Sequence, residues 1–172
     1  MSDRILVTYA SRAGSTAGVA EAVADTLIEG GAEVDLLPMQ DVTNVSPYRA
    51  VVAGSAIQGQ KWLPEAMQFL RTFQAQLAQR PFAAFSVCMT LAMRNGEQYR
   101  SSVVEWLAPV RTLARPVSEG HFAGVLDISK IPSFGDKLKF RLSVLFGVWS
   151  EGDHRDWDAI REWAAGLRSL LV

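Results

Sequence analysis

Short apolar runs alternate along the chain with segments whose apolar positions repeat every three or four residues. Four near-continuous apolar runs that include β-branched residues occur at 4–9, 50–54, 82–87 and 122–126. Such runs are typical of strands that are buried on both faces of a parallel sheet. A fifth run, at 33–37, alternates apolar and polar positions and predicts an edge strand. The pattern therefore predicts five strands.

Helical periodicity separates these strands. The first apolar stripe ends before Gly30 and Gly31, a typical helix stop. The four stripes consist of Ala20, Val23, Ala24, Leu27 and Ile28; of Ala66, Leu70, Phe73 and Leu77; of Val103, Trp106, Leu107 and Val110; and of Trp157, Ile160, Ala164, Leu167 and Leu171. Alternating strands and helices predict one α/β domain over residues 1–172, a doubly wound five-stranded parallel sheet with helices on both faces. The flavodoxin-like strand order 2-1-3-4-5 is the simplest for it.

The loop after the first strand has the composition of an anion-binding loop. Hydroxyl groups of Ser11, Ser15 and Thr16, with free backbone N–H groups at a helix start, would surround a phosphate. Gly14 would let the backbone approach closely. The alternative is that Ser15 or Thr16 only caps the helix. The whole predicted phosphate loop is Ser11, Arg12, Ala13, Gly14, Ser15 and Thr16.

Two more loops should leave the same edge of the sheet, where such folds bind their ligands. Small residues followed by Trp62 suit a flat aromatic ligand, with Trp62 either a wall for the ligand or a core residue at a helix start. Cys88 would meet the ligand, although free cysteines are usually small buried hydrophobes. Tyr99 could stack on the ligand or lie on the surface. The remaining predicted binding residues are Ser55, Ala56, Ile57, Gln58, Gly59, Val87, Met89, Thr90 and Leu91.

Charge and composition exclude several classes of function. A formal net charge of −1 without a basic run gives no electrostatic basis for binding nucleic acid. The single cysteine, Cys88, cannot form an internal disulfide, which fits a reducing cytoplasmic setting. Neither a signal peptide nor an apolar stretch of about 18 residues is present, so membrane contact would be peripheral. His121 and His154 have no partner ligand at a useful spacing, so we predict no metal site.

The segment 128–152 is longer than the link between a last strand and a last helix requires. It predicts an inserted helix with cationic residues Lys137, Lys139 and Arg141 at its start. Four alternatives are open for this helix: packing on the core, a homodimer interface, a wall for a quinone or porphyrin, and contact of 134–149 with the inner face of the cell membrane. Its apolar positions are Leu138, Leu142, Leu145, Phe146 and Trp149 on one stripe, with Phe140, Val144 and Val148 beside it.

The loop at 11–16 resembles the flavodoxin phosphate loop, [ST]-x-[ST]-G-x-T. It matches at Ser11, Gly14 and Thr16, whereas Ala13 lacks the usual hydroxyl. Nearly the whole chain is similar to a flavodoxin-like branch, the menaquinone-dependent protoporphyrinogen IX dehydrogenases of haem synthesis. The similar segments are VVAGSAIQGQKWLPEAMQFL, FAAFSV, HFAGVL and GDHRDWDAIREWA.

The resemblance implies FMN, with its phosphate in the loop at 11–16 and its isoalloxazine ring between the loops after the third and fourth strands. No catalytic side chain is implied, because the flavin supplies the reactivity. We expect an FMN oxidoreductase that oxidises protoporphyrinogen IX and reduces a quinone. The alternative is a flavodoxin that exchanges electrons with a redox partner protein, although such carriers are usually more acidic than this chain. A third alternative is a fold that has lost FMN, for which Ala13 is the only hint.

Overall fold

Within residues 3–172, which the computed structural model describes, five long parallel strands form the centre of the molecule. The order across the main sheet is β2-β1-β3-β5-β6, and β4 pairs antiparallel with β3. Without the two-residue strand β4 this is the predicted order 2-1-3-4-5, so the predicted fold class is confirmed. The strands are β1 (Ile5–Ala10), β2 (Val34–Pro38), β3 (Ala50–Gln58), β4 (Lys61–Trp62), β5 (Phe82–Cys88), β6 (Ser118–Ala123), β7 (Val125–Leu126) and β8 (Gly152–Asp153).

Helices cover both faces of this sheet. Because side chains alternate along a strand, β1 contributes Ile5 and Val7 to one core and Leu6 and Ala10 to the other. Helices α1 and α7 pack on the first core, and α2 and α5 pack on the second. The helices are α1 (Ser15–Glu29), α2 (Pro64–Thr72), α3 (Gln74–Leu77), α4 (Arg100–Glu105), α5 (Ala108–Leu113), α6 (Phe134–Leu145) and α7 (Trp157–Gly166).

Two of the predicted helical stripes are each divided between two helices. The stripe from Ala66 to Leu77 breaks at Phe73, whose φ of −107° lies outside the helical range. The third stripe breaks near Leu107, and Pro109 stands in the first turn of α5. Proline has no N–H group to donate into a preceding turn, so it begins a new helix there.

The last predicted strand along the chain, at 122–126, has the wrong boundaries. Strand β6 begins at Ser118 and ends at Ala123, and Val125 and Leu126 belong to β7, which pairs with β8 outside the main sheet. The cause is the polar composition of β6, which includes Glu119 and lies at the sheet edge, where one side has no strand neighbour. The run at 33–37, which was predicted to be an edge strand, corresponds to β2 and lies at the opposite edge.

Strand β3 is four residues longer than predicted and continues into a hairpin. Residues 55–58, expected in a loop, are paired in β3, which turns at Gly59 and Gln60 into β4. Both turn residues have positive φ, 58° and 63°, as in the tight hairpin turns that match the strand twist. Inside β3, Gly54 has no room for a side chain, since a Cβ built there would lie 1.9 Å from Cζ of the buried Phe85 ring.

The predicted insertion forms helix α6, and none of its twelve residues is buried. Packing of this helix on the core, one of the four alternatives, is therefore not what the structure shows. Phe134 and Leu145 are 80% and 77% exposed, and Phe146, just after the helix, is 78% exposed. Among the described residues, no helix is both long and apolar enough to span a bilayer.

Candidate functional site

Strand register brings the three predicted binding segments to one edge of the sheet. Ala10 at the end of β1 is paired with Ser55 of β3, and Ser55 is paired with Ser86 of β5. One residue further along, Ala56 is paired with Val87. The chain segments that leave β1, β3 and β5 therefore start side by side, at the carboxyl edge where doubly wound sheets bind ligands.

The loop after β1 folds as a tight turn into α1. Gly14 has φ 90°, a left-handed conformation that glycine adopts without strain, and its N–H donates to Ser11 Oγ at 3.1 Å. Helix α1 begins at Ser15, its N-cap is Gly14, and no side chain among the described residues caps it. The alternative that Ser15 or Thr16 serves as the N-cap is therefore not realised. Arg12, Ala13 and Gly14 are exposed on the rim of this turn.

Thr16 lies in the first turn of α1 and is fully buried. Its Oγ1 has no hydrogen-bond partner among the described residues. A buried hydroxyl without a partner is costly, and a bound anion at the start of α1 would supply an acceptor for it. Thr8 Oγ1 is a second buried hydroxyl without a partner, but its side chain faces the opposite core, beside Leu6 and Ala10.

Two arginines flank this turn from different sides. Arg12 pairs with Glu65 in the first turn of α2, and this hydrogen bond lowers the pKa of Glu65. Both side chains are well exposed, so the pair contributes little stability. Arg155 approaches from the segment before α7, with Nη1 3.3 Å from the carbonyl oxygen of Ser15. Asp153 holds this guanidinium through a 2.7 Å contact, and the Arg155 side chain is 16% exposed.

The residues predicted to bind the ligand on the β3–β4 hairpin differ in their exposure. Gln58 and Gly59 are exposed, and Ala56 and Ile57 are partly so. Ser55 is fully buried, and its Oγ accepts a hydrogen bond from the backbone N–H of Leu63. These placements leave the tip of the hairpin available to a ligand and keep Ser55 within the protein.

Trp62 is a core residue in this structure. It is 3% exposed, and its Nε1 donates to Ser86 Oγ at 2.8 Å across the sheet. An indole with no exposed face cannot cover a ligand, so the geometry favours the second alternative for Trp62, packing at a helix start. The prediction that Trp62 forms a wall for the ligand is therefore wrong.

The segment after β5 begins buried and becomes exposed. Val87 and Cys88 are 4% and 2% exposed, whereas Met89, Thr90 and Leu91 are partly exposed in a 3-10 turn. Burial of Cys88 matches the alternative of a small core hydrophobe. Tyr99, at the end of a second 3-10 turn, is 37% exposed.

Gly124, between β6 and β7, was not among the predicted site residues. A Cβ built on it would lie 3.5 Å from both Ser15 Oγ and Met89 Sδ. The phosphate loop and the segment after β5 therefore meet at this glycine. No local signal in the sequence could have found it, because the predicted strand at 122–126 ran straight through this position.

The two histidines lie in different surroundings. His121 Nε2 is 3.4 Å from Glu119, and burial lowers the pKa of this histidine. The backbone N–H of His154 donates to the carbonyl of Gly124 at 3.1 Å. Among residues 3–172, no three His, Cys, Asp or Glu side chains are grouped as metal ligands.

A doubly wound five-stranded parallel sheet in the order 2-1-3-4-5, with a glycine turn leading from its first strand into a helix, is the architecture of the flavodoxin-like class of α/β proteins. The family model described as "Flavodoxin domain" matches residues 6–153. The chain therefore belongs to the flavodoxin-domain family. No curated protein sequence matches the chain significantly.

Solved structures support the same fold. A flavodoxin from the domain Archaea is similar with a TM-score of 0.57 and 17% identity, covering 96% of each chain. A short-chain flavodoxin associated with a non-canonical PDU bacterial microcompartment has a TM-score of 0.60 and 14% identity, covering 98% of this chain and 99% of its own. Rubredoxin oxygen:oxidoreductase from Desulfovibrio gigas has a TM-score of 0.54 and 17% identity, covering 99% of this chain and 37% of its own.

Membership of this family implies FMN as the cofactor. The residues present fit its phosphate group: Gly14 exposes the backbone, and Thr16 presents a buried hydroxyl without a partner. The predicted cofactor is thus supported by the family and compatible with the geometry.

Proposed function

We propose that the chain is an FMN-dependent oxidoreductase with a hydrophobic substrate of its own. FMN supplies the redox chemistry when it is bound. The protein positions the cofactor: the turn from Ser11 to Thr16 holds the phosphate, and the exposed parts of the β3–β4 hairpin and of 89–91 flank the ring. No side chain is assigned a catalytic role.

The observation that carries a substrate of its own is the exposed apolar helix α6. The chain just after this helix is attached to the segment after β5, since the N–H of Arg94 donates to the carbonyl of Val148 at 3.0 Å. A protein that only exchanges electrons at a cofactor edge does not need an unburied apolar helix. A flat apolar substrate such as protoporphyrinogen IX, with a quinone as acceptor, would use it.

The same helix supports contact with a membrane surface. Phe134, Leu145 and Phe146 are each at least 77% exposed, and Lys137 and Arg141 lie one helical turn apart on α6. Apolar side chains beside cations favour binding to anionic lipid. Sedimentation with vesicles that contain anionic lipid should remove the protein from solution, and Leu145→Ser with Phe146→Ser should keep it in the supernatant.

The first test of the proposed function is FMN binding followed by turnover. The purified protein, supplied with FMN, should retain a flavin spectrum, and Ser11→Ala with Thr16→Ala should lose it. Under anaerobic conditions the loaded protein should then oxidise protoporphyrinogen IX only when a menaquinone analogue is present. Bound FMN together with stable protoporphyrinogen would contradict the substrate assignment.

An electron-transfer protein without its own substrate is the second candidate. The full-length likeness to two flavodoxins favours it. This candidate requires reductive titration in two separate one-electron steps and salt-sensitive docking to a partner protein. Direct two-electron reduction, with no dependence of activity on a partner, would exclude it.

A further inference from the structure

Arg155 reaches the first turn of α1 from a distant part of the chain. It lies 140 positions after Ser15, and its Nη1 donates to the Ser15 carbonyl oxygen at 3.3 Å. The side chain of Arg155 is largely buried. Arginine side chains are mostly exposed, and one that is largely buried needs partners that hold it there.

Two neighbours fix the guanidinium in one orientation. Asp153 accepts from Nε at 2.9 Å and from Nη2 at 2.7 Å, as in the bidentate pairs that arginine forms with carboxylates. The indole of Trp157 lies against the guanidinium, with Cζ 4.4 Å from the ring centroid. Asp153 is in turn placed by strand β8, where it pairs with Val125 of β7. Nη1, which Asp153 does not use, is thereby directed at Ser15.

Gly18 leaves the space that this contact needs. A Cβ built on it would lie 2.5 Å from Nη1 of Arg155 and 3.7 Å from the ring of Trp157. Any larger residue in this position of α1 would therefore push the guanidinium away from the Ser15 carbonyl. Glycine inside a helix is less stabilising than alanine, and the close approach of Arg155 accounts for it here.

The first turn of α1 is a place where a cation is unfavourable on its own. The amino end of a helix carries a partial positive charge, and α1 has no acidic residue in its first turn. Asp153 balances the charge of Arg155 from one side. A phosphate group bound at this turn would add negative charge close to both the helix end and the guanidinium.

The contact acts on the peptide group between Ser15 and Thr16. The carbonyl that accepts from Arg155 and the N–H of Thr16 belong to the same peptide unit, and hydrogen bonds in such a chain polarise one another. The N–H groups of a first helical turn have no acceptor within the helix. Thr16 also carries the fully buried hydroxyl that has no partner among the described residues. A cation on the Ser15 carbonyl would therefore fix this peptide and strengthen its N–H as a donor to an anion.

We propose that Arg155 is a positioning residue for the phosphate group of FMN. Asp153 orients its guanidinium, and the guanidinium holds and polarises the peptide group that donates to the phosphate. The proposal rests on the FMN binding that the proposed function includes, but it does not depend on any substrate. It requires that Arg155 affect the affinity for the phosphate part of the cofactor and leave the affinity for the flavin ring unchanged.

The test compares FMN with riboflavin, which has the same ring and lacks the phosphate. Dissociation constants are measured from the quenching of flavin fluorescence, in buffer without phosphate. Arg155→Met removes the guanidinium, whereas Gly18→Ala keeps both charges of the ion pair and displaces Nη1 from Ser15. Each variant should raise the Kd for FMN about three- to tenfold, the size of one net hydrogen bond, and leave the Kd for riboflavin unchanged.

Matched controls exist for both variants. Arg111 makes the same kinds of contact elsewhere, since Glu119 accepts from its Nε and Nη2 and the carbonyl of Val104 accepts from Nη2. Gly166 lies in α7, and nothing lies within 4 Å of a Cβ built on it. Arg111→Met and Gly166→Ala should keep the Kd of the unaltered protein for both flavins. Thermal unfolding without flavin shows whether each variant is folded, and Gly18→Ala decides the outcome if Arg155→Met is not.

Three results would overturn the proposal. Equal weakening of FMN and riboflavin binding would show that Arg155 only supports the fold. Weaker FMN binding in Arg155→Met but not in Gly18→Ala would show an effect of charge alone. Equal affinity of the unaltered protein for the two flavins, or no binding of FMN, would show that the turn does not hold the phosphate. Because the readout is affinity, FMN-specific weakening in a protein that does not oxidise protoporphyrinogen IX would support this proposal and contradict the proposed function.

Discussion

Replacing Thr16 by valine should stabilise the protein without FMN and weaken FMN binding. Valine has the shape of threonine without the hydroxyl, and the hydroxyl at this fully buried position has no partner among the described residues. Removing an unsatisfied buried hydroxyl should raise the free energy of unfolding by about 1–2 kcal/mol. For a domain of this size that corresponds to a rise in Tm of about 2–8 °C.

The effect on FMN binding has the opposite sign. A hydrogen bond from Thr16 Oγ1 to a phosphate oxygen involves a charged acceptor and contributes about 1.5–3 kcal/mol. Its loss should therefore raise the Kd for FMN by about 10- to 150-fold. Opposite changes in stability and affinity distinguish a ligand-binding hydroxyl from a purely structural one.

Thr8→Val is the matched control for this prediction. It removes the other buried hydroxyl without a partner, from the strand face that points away from α1. It should stabilise the protein by a similar amount and leave the Kd for FMN unchanged. Thermal unfolding without FMN and quenching of flavin fluorescence measure the two quantities. If Thr16→Val gains stability but keeps its FMN affinity, the hydroxyl does not bind phosphate and the reasoning fails.

Three further predictions concern a strand, a helix and the edge of the sheet. Gly54→Ala should cost at least about 1–3 kcal/mol in urea unfolding, because the new Cβ would lie 1.9 Å from Phe85 Cζ. Gly166→Ala in α7, where nothing lies within 4 Å, should instead stabilise the protein by about 0.5–1 kcal/mol. Burial lowers the pKa of His121 against the opposing effect of Glu119, so the unfolded chain binds more protons and stability should fall as pH drops below the usual value of 6.5. His121→Gln should flatten this slope in unfolding midpoints measured across that range; an unchanged slope would assign it to other groups.

The central strands of the sheet were predictable because a strand that is buried on both faces has a continuous run of apolar residues. Strand β5 is buried at every residue, and the apolar run at 82–87 predicted all but its last residue. Strand β6 has no such apolar run, since Ser118, Glu119 and His121 are only partly buried at the sheet edge. Edge strands need apolar side chains on fewer positions, so apolar runs locate them poorly.

In the candidate site, too, the part formed by one continuous segment was predictable from the sequence, and the parts that depend on distant residues were not. The turn at 11–16 is one continuous segment, and its small and hydroxyl residues were sufficient to locate it. The surroundings of Trp62 depend on Ser86, 24 residues away on a neighbouring strand, and the contact exists only in the actual strand register. Gly124 likewise acquires its place beside Ser15 only through the fold.

Helix α6 has no buried residue, but the chain that follows it is attached to the candidate site at two points. The carbonyl of Val148 accepts from the N–H of Arg94 in the segment after β5. Further along, the N–H of His154 donates to Gly124, and Arg155 contacts the first turn of α1 through the carbonyl of Ser15. A ligand on α6 and a phosphate at the start of α1 would therefore act on segments joined by hydrogen bonds. Because coupling between sites is reciprocal, any effect of a ligand on α6 on the FMN affinity must equal the effect of FMN on the affinity for that ligand.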